Sequence, residues 1–263
     1  KKAKKSMVLK NDMKKLTNAV FGFFRREPWQ RCRPVVIGGC ARSGTTLLLS
    51  LLSSHPRIYA IPVETQTLCP TAYYGDFDAD AAFDIPTLNE HLVAANITRK
   101  SHLWCEKTPR NIHFFEGILN HFGKSVKLLQ IVRDGRDVVC SMHPNDTKQN
   151  WVQPHRWVDD VTAGFVFQDH AQVLTIRFED LIVCFEKTVQ DICDFLDIEL
   201  THHLIEYPKY ATVKTSNAWL ESAHLPSSHS IGKWRTNNIN SPVIDELLAN
   251  EDAIRLLRHY NYL

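Results

Sequence analysis

Arg33-Pro34-Val35-Val36-Ile37-Gly38-Gly39-Cys40-Ala41-Arg42-Ser43-Gly44-Thr45-Thr46-Leu47-Leu48-Leu49 decides the fold. An apolar strand runs into a glycine-bearing turn, and a helix then opens on small hydroxyl residues. The backbone N–H groups of a first helical turn lack intrahelical partners, and the helix dipole favours negative charge beside them. Strand, turn and helix together therefore make an anion site. Gly39 and Gly44 keep the spacing of a Walker A loop, but Thr45 stands where that loop carries its lysine. Arg42 is the fixed positive charge of the turn. The loop suits a phosphate-like group and is a poor ATP or GTP loop. An ordinary glycine-rich βα turn is the simpler alternative, and it leaves Arg42 beside a Ser-Gly-Thr-Thr run unexplained.

Outward from this stretch, strands and helices alternate. Strands are predicted at Val35–Ile37, His102–Cys105, Val126–Val132 and Val173–Phe178. Helices are predicted at Thr45–Ser54, Pro109–His121, Val138–His143, Arg156–Ala171 and Glu179–Leu196. The alternation predicts an α/β fold, a P-loop-like open parallel sheet flanked by helices on both faces. Ligands of such sheets sit beyond the carboxyl ends of the strands. Gly38–Thr46, Lys107–Arg110 and Arg133–Asp137 each follow a strand, so all three should line one crevice. They bring Arg42, Lys107, Arg110, Arg133 and Arg136 with the hydroxyls of Ser43, Thr45, Thr46 and Ser141.

The remaining stretches are less regular. A leading helix is expected over Val8–Phe24, inside a basic segment spanning 1–27. Arg57–Pro86 reads as irregular, within a stretch 57–100 expected to bind an acceptor. A helix over Thr87–Arg99 is expected to be capped by Thr87, with Glu90 three residues later. Asp146–Pro154 is expected to be loop, and the chain after Tyr207 a polar loop up to a last helix, Val243–His259. No internal repeat or linker breaks the pattern, so a single domain over 1–263 is expected.

Composition narrows the ligand. With 31 basic against 29 acidic residues the net charge is +2, so no global field recruits nucleic acid and an anion must be held locally. Seven cysteines, odd in number and without a C-x-x-C pair, favour a reducing compartment. The cytoplasm is therefore expected, with the Golgi lumen as the alternative if an anchor precedes Lys1. No run of about 18 apolar residues occurs, so no membrane span is expected in this chain. No cluster has metal-ligand spacing, so no metal is expected.

At this point the sequence resembles the sulfotransferases that use 3′-phosphoadenosine 5′-phosphosulfate (PAPS). Gly39–Thr46 is similar to their 5′-phosphosulfate loop. Ile131-Val132-Arg133-Asp134-Gly135-Arg136-Asp137-Val138-Val139-Cys140-Ser141-Met142 is similar to their 3′-phosphate motif, an arginine followed eight residues later by a serine. Glu106-Lys107-Thr108-Pro109 and Arg177-Phe178-Glu179-Asp180-Leu181 match further family segments, in family order from about Val35 to Trp234. The Arg-Ser-Gly-Thr-Thr loop resembles the tyrosylprotein-type and bacterial branch, in which a glutamate soon after the loop helix is the base. Glu64 matches that glutamate.

The resemblance implies PAPS as co-substrate, 3′-phosphoadenosine 5′-phosphate (PAP) as product, an acceptor hydroxyl on a glycan, small metabolite or peptide, and no metal. It implies that Glu64, Lys107 and Arg42 are catalytic and that Ser43, Gly44, Thr45 and Thr46 cradle the phosphosulfate with Arg42. Arg133 and Ser141 take the 3′-phosphate, and Ser230, Lys233 and Trp234 lie in the donor-binding segment. Asn145 stands where the tyrosylprotein branch has a further arginine, which weakens protein tyrosine as acceptor. Other placements stay open: Glu64 as a capping or surface carboxylate, and Trp234 as a core residue rather than a purine platform. Arg136 and Asp137 are expected to be structural, and Glu179 and Asp180 to favour the helix N-terminus after them. A P-loop nucleotide kinase or NTPase, or a catalytically silent nucleotide binder, is the competing function, and an oligomer is left open.

Overall fold

The protein, a computed structural model, is described over residues 31–70, 82–94, 97, 101–143, 146–214, 227–236 and 241–263. The expected helix over Val8–Phe24 lies outside the described residues. Seven strands are described: β1 (Arg33–Gly39), β2 (Ile58–Ala60), β3 (Leu103–Lys107), β4 (Lys127–Val132), β5 (Met142–His143), β6 (Asp146–Asn150) and β7 (Val173–Arg177). Five of them form one sheet in the order β2-β3-β1-β4-β7, with every pairing parallel. The chain builds one side of β1 and then crosses back to build the other. The crevice at the carboxyl end of β1 is thus a topological switch point.

Strand β1 is covered on both faces, which explains its unbroken apolar run. Val35 and Ile37 join one cluster with Leu48 and Leu49 of helix α1 (Thr45–Leu52). Val36 joins a second with Leu88 of helix α2 (Ile85–Ala94), Ile112, and Phe115 of helix α3 (Phe115–Phe122). A third cluster sits under the carboxyl edge, where Cys40, Val132 and Val138 of helix α4 (Gly135–Val139) surround Trp157 of helix α5 (Pro154–Phe165).

Several expected boundaries move, for local reasons. The proline-led helix begins as a 3-10 turn, Pro109–Phe114, before α3. It packs onto Gly38 so closely that an added Cβ there would lie 2.7 Å from Ile112 N and 2.9 Å from Phe115 Cε1. Helix α2 starts ahead of Thr87 because Asp84 Oδ1 accepts the Thr87 N–H at 3.1 Å; Asp84, not Thr87, is the cap. The segment taken as irregular contains β2, and Leu88, Leu92 and Ile97 are core residues, so part of 57–100 belongs to the sheet and its packing. The expected helix Val138–His143 is instead the earlier and shorter α4, capped by the Asp134 side chain.

Residues 146–150, expected as loop, pair antiparallel with β5. Their polar run Asp-Thr-Lys-Gln-Asn carries no alternation by which a strand could be read. The helix after β7 breaks at Cys184 into α6 (Asp180–Val183) and α7 (Phe185–Leu196). Beyond it come two short helices, α8 (His202–Ile205) and α9 (Tyr207–Tyr210), the second at the start of the expected loop. The last expected helix is two, α10 (Ser241–Leu248) and α11 (Glu251–His259), because the Asn250 side chain caps the second by accepting from Ala253 N at 3.0 Å.

Gly38→Ala should lower stability by about 1–3 kcal/mol, as overpacking against backbone does. A thermal-melt comparison checks it, and an unchanged melting temperature would contradict the close packing of β1 on the 3-10 turn.

Candidate active site

The loop between β1 and α1 is built on two left-handed residues, Arg42 at φ 69° and Gly44 at φ 98°. For arginine that conformation costs about 1–2 kcal/mol, and strain of this kind gathers at ligand sites. Gly44 answers a steric demand as well, since a Cβ there would lie 2.6 Å from the Phe178 ring. Thr45 and Thr46 open α1 with no acidic residue in its first turn, which leaves the helix N-terminus free to face an anion. Ser43 is fully buried, and its Oγ has no hydrogen-bond partner among the described residues. Behind the loop the Cys40 thiol bonds to the Asp160 carboxylate, which also meets His113 Nε2 at 2.6 Å.

Lys107 ends β3 directly opposite Ile37 of β1 and is 1% exposed. Its Nζ donates to Thr46 Oγ1 at 3.2 Å and to Glu64 Oε1. Glu64 stands in the loop after β2 with its side chain 28% exposed. It is therefore neither a helix cap nor an isolated surface carboxylate. That loop is fastened by Glu106, a carboxylate with no exposure. Glu106 Oε1 accepts from Thr65 N at 3.3 Å, Thr65 Oγ1 at 2.9 Å and Thr108 Oγ1 at 2.7 Å, and Oε2 accepts from Asn111 Nδ2 at 2.6 Å. Burial raises the Glu106 pKa above the usual carboxylate range, although these four hydrogen bonds pull the other way.

Arg133 follows β4 and reaches across the crevice. Its Nη1 donates to the Arg42 carbonyl at 3.1 Å and its Nη2 to the Ser230 carbonyl at 2.6 Å, while its guanidinium lies 4.5 Å from the Phe178 ring centre. Burial lowers the Arg133 pKa, offset chiefly by Asp137. Arg42 is lowered by burial and then by the charge of Arg133. Two half-desolvated cations held side by side favour an anion between or beside them. Arg133 Nε is buried with no partner among the described residues. Ser141, past the end of α4, donates its Oγ to the Asp137 carbonyl at 2.9 Å.

Asp137 fixes the opposite wall by accepting from Gly232 N at 2.7 Å and Trp234 N at 3.0 Å. Trp234 is half-buried rather than core, and its ring carries the guanidinium carbons of Arg136 at 4.2 Å and Arg235 at 4.5 Å. Lys233 is exposed. Arg136 leaves the set of crevice cations, because Asp134 takes its charge in a two-pronged pair at 2.9 and 2.8 Å. Glu179 is the N-cap residue of the helix after it, its C=O accepting from Ile182 N at 3.0 Å and Val183 N at 2.9 Å, but its side chain turns elsewhere. Its Oε1 accepts the Asp134 N–H at 3.1 Å. Asp180 stands in the first turn of that helix, as expected, and also pairs with Arg177 at 3.3 Å.

A sequence model described as "Sulfotransferase family" matches residues 34–202, more than half of the chain. The chain belongs to the sulfotransferase family. Solved sulfotransferases share its fold. The sulfotransferase domain from the curacin biosynthetic pathway is 15% identical, covers 88% of this chain and 98% of its own, and superposes with a TM-score of 0.61. The sulfotransferase domain of the Synechococcus PCC 7002 olefin synthase is 19% identical, with 89% and 96% covered and a TM-score of 0.59. A mouse sulfotransferase complexed with PAP is 18% identical, with 87% and 89% covered and a TM-score of 0.54. A search of curated proteins finds no match. Among the described residues no group of His, Cys, Asp and Glu is placed to hold a metal ion, and no helix is long and apolar enough to cross a membrane.

The fold thus brings Arg42, Ser43, Gly44, Thr45, Thr46, Lys107 and Glu64 together, and joins Arg133, Ser141, Ser230 and Trp234 through Asp137. Asp137 is structural, as expected, while sequence reasoning missed Glu106 as a support. A lone carboxylate inside the buried strand Leu-Trp-Cys-Glu-Lys was the available signal for it. Glu106→Ala should leave four donors short of an acceptor, lowering both melting temperature and turnover, and Glu106→Gln should restore most of the melting temperature. Because its folded pKa is raised, folded protein holds that proton more tightly than unfolded chain. The associated stability is full below the unfolded glutamate value and falls as pH rises through the raised one. Melts across that window should show this slope in wild type and a shallower one in Glu106→Gln.

Proposed function

We propose that this sulfotransferase moves the sulfuryl group of PAPS to an acceptor hydroxyl of a glycan, small metabolite or peptide, with Glu64 as general base. The observation that carries this is the hydrogen-bonded set Glu64–Lys107–Thr46, which joins a carboxylate, a buried cation and the anion loop in one contact. The donor supplies a sulfuryl group whose bond to the 5′-phosphate oxygen breaks as the acceptor oxygen bonds to sulfur. Positioning and charge stabilisation then carry most of the rate, as in other in-line transfers. Glu64 accepts the acceptor's proton as its oxygen attacks. Lys107 and Arg42 offset the charge that grows on the leaving phosphate.

The chain's own residues fit such a donor. Ser43 Oγ and Arg133 Nε are buried polar atoms lacking a partner among the described residues. Ser43, Gly44, Thr45 and Thr46 present a helix N-terminus to the phosphosulfate end, with Arg42 as its cation. Arg133 and Ser141 take the 3′-phosphate, and Ser230, Lys233 and Trp234 close over the nucleotide. The absence of a Walker lysine follows, because Lys107 delivers that charge from the neighbouring strand. Seven free cysteines support a reducing compartment, the cytoplasm, as the place of action.

Calorimetry should show PAP binding more tightly than ADP, and equal binding would remove the 3′-phosphate role of Arg133 and Ser141. Glu64→Gln should reduce kcat by about 10²–10⁴ with the donor KM little changed. Full turnover in that variant would show that Glu64 is not the base.

A further inference from the structure

We propose that Tyr262 is a positioning residue of the 3′-phosphate grip, setting the orientation of Arg133 and of the 230–234 loop from behind. The proposal rests on the assignment of Arg133 and Ser141 to that phosphate. Tyr262 lies just past α11 and is turned back into the body by a left-handed Asn261 at φ 57°. Asn261 N bonds to Arg258 O at 3.0 Å and Tyr262 N to Leu257 O at 2.7 Å. That pair of bonds is a Schellman ending, in which asparagine is a tolerated left-handed residue. The helix end thus aims Tyr262 rather than leaving it to drift.

Four side chains close a ring from there. Tyr262 Oη donates to Glu179 Oε2 at 2.7 Å. Glu179 Oε1 accepts from Asp134 N at 3.1 Å. The Asp134 carboxylate holds Arg136, and Arg136 Nη2 donates to the Tyr262 carbonyl. Glu179, Asp134 and Arg136 are each less than a tenth exposed, so water is a poor substitute for any lost contact. Arg177 covers the Tyr262 ring at 4.8 Å. Burial and the Glu179 charge both raise the phenol's pKa, which keeps it a donor.

The ring acts on the grip at two points. The peptide joining Arg133 to Asp134 is fixed at both ends, with its C=O accepting from Trp157 Nε1 at 3.2 Å and its N–H donating to Glu179. That peptide sets the direction in which the Arg133 side chain leaves the backbone. At the second point Arg136 lies 4.2 Å from the Trp234 ring centre, and Trp234 N is held by Asp137. Tyr262 therefore reaches Arg133 through Glu179, and the facing loop through Arg136.

Calorimetric titrations of wild type, Tyr262→Phe and Tyr262→Ala with PAP and with AMP, which lacks the 3′-phosphate, test the proposal. Wild type should prefer PAP. Tyr262→Phe should lose about tenfold in PAP affinity, the size of one lost hydrogen bond to a charged group, with AMP affinity held. Tyr262→Ala should lose at least as much. An undiminished PAP preference in both variants overturns the proposal, and so does an equal fall for both nucleotides, which marks a purely structural role whatever the melting temperature does. Wild type binding PAP no better than AMP instead overturns the assignment of Arg133 and Ser141, and the proposal with it.

Discussion

The guanidinium of Arg133 is the contact on which the crevice depends. It takes the carbonyl of Arg42 on one side and the carbonyl of Ser230 on the other, so the anion loop, the β4 turn and the 230–234 segment meet at one side chain. Those two carbonyls take Nη1 and Nη2, Nε has no partner among the described residues, and the buried Asp137 carboxylate at 3.7 Å offsets part of the charge. Burying a cation is costly unless it is well paired. The same desolvation depresses the pKa of both Arg133 and Arg42.

Supporting carboxylates make this arrangement stable. Glu106, Asp137, Glu179 and Asp160 are all buried and all bonded to the backbone or side chains of segments that carry candidate site residues. Each fixes a loop whose own sequence carries no stiffening pattern. The site is a set of short strand-end loops braced from below by acids.

How much of this was legible follows from what kind of signal each part leaves. Strands β1 and β4 are apolar runs next to glycine or charged turns, and both were read within two residues at either end. The anion loop was legible because its residue types answer a local demand. Strand β2 was invisible because three residues give no period. The hairpin strand β6 was invisible because polar residues at a sheet edge have no core face to mark. Glu64 was singled out only by resemblance. Its meeting with Lys107 depends on the crossover from β2 to β3, a long-range fact that no local pattern holds. The Tyr262 contact was equally beyond reach, since it joins residues over eighty positions apart through a helix ending.

That last distance also orders the birth of the molecule. During synthesis β1 and its loop emerge before Lys107, which is followed by Arg133, then Glu179 and then Tyr262. Glu179 and Arg136 spend that interval as charges without their closing partner, in a sheet whose parallel pairings are already slow to form. A nascent chain would therefore hold its sheet before the ring through Tyr262 closes.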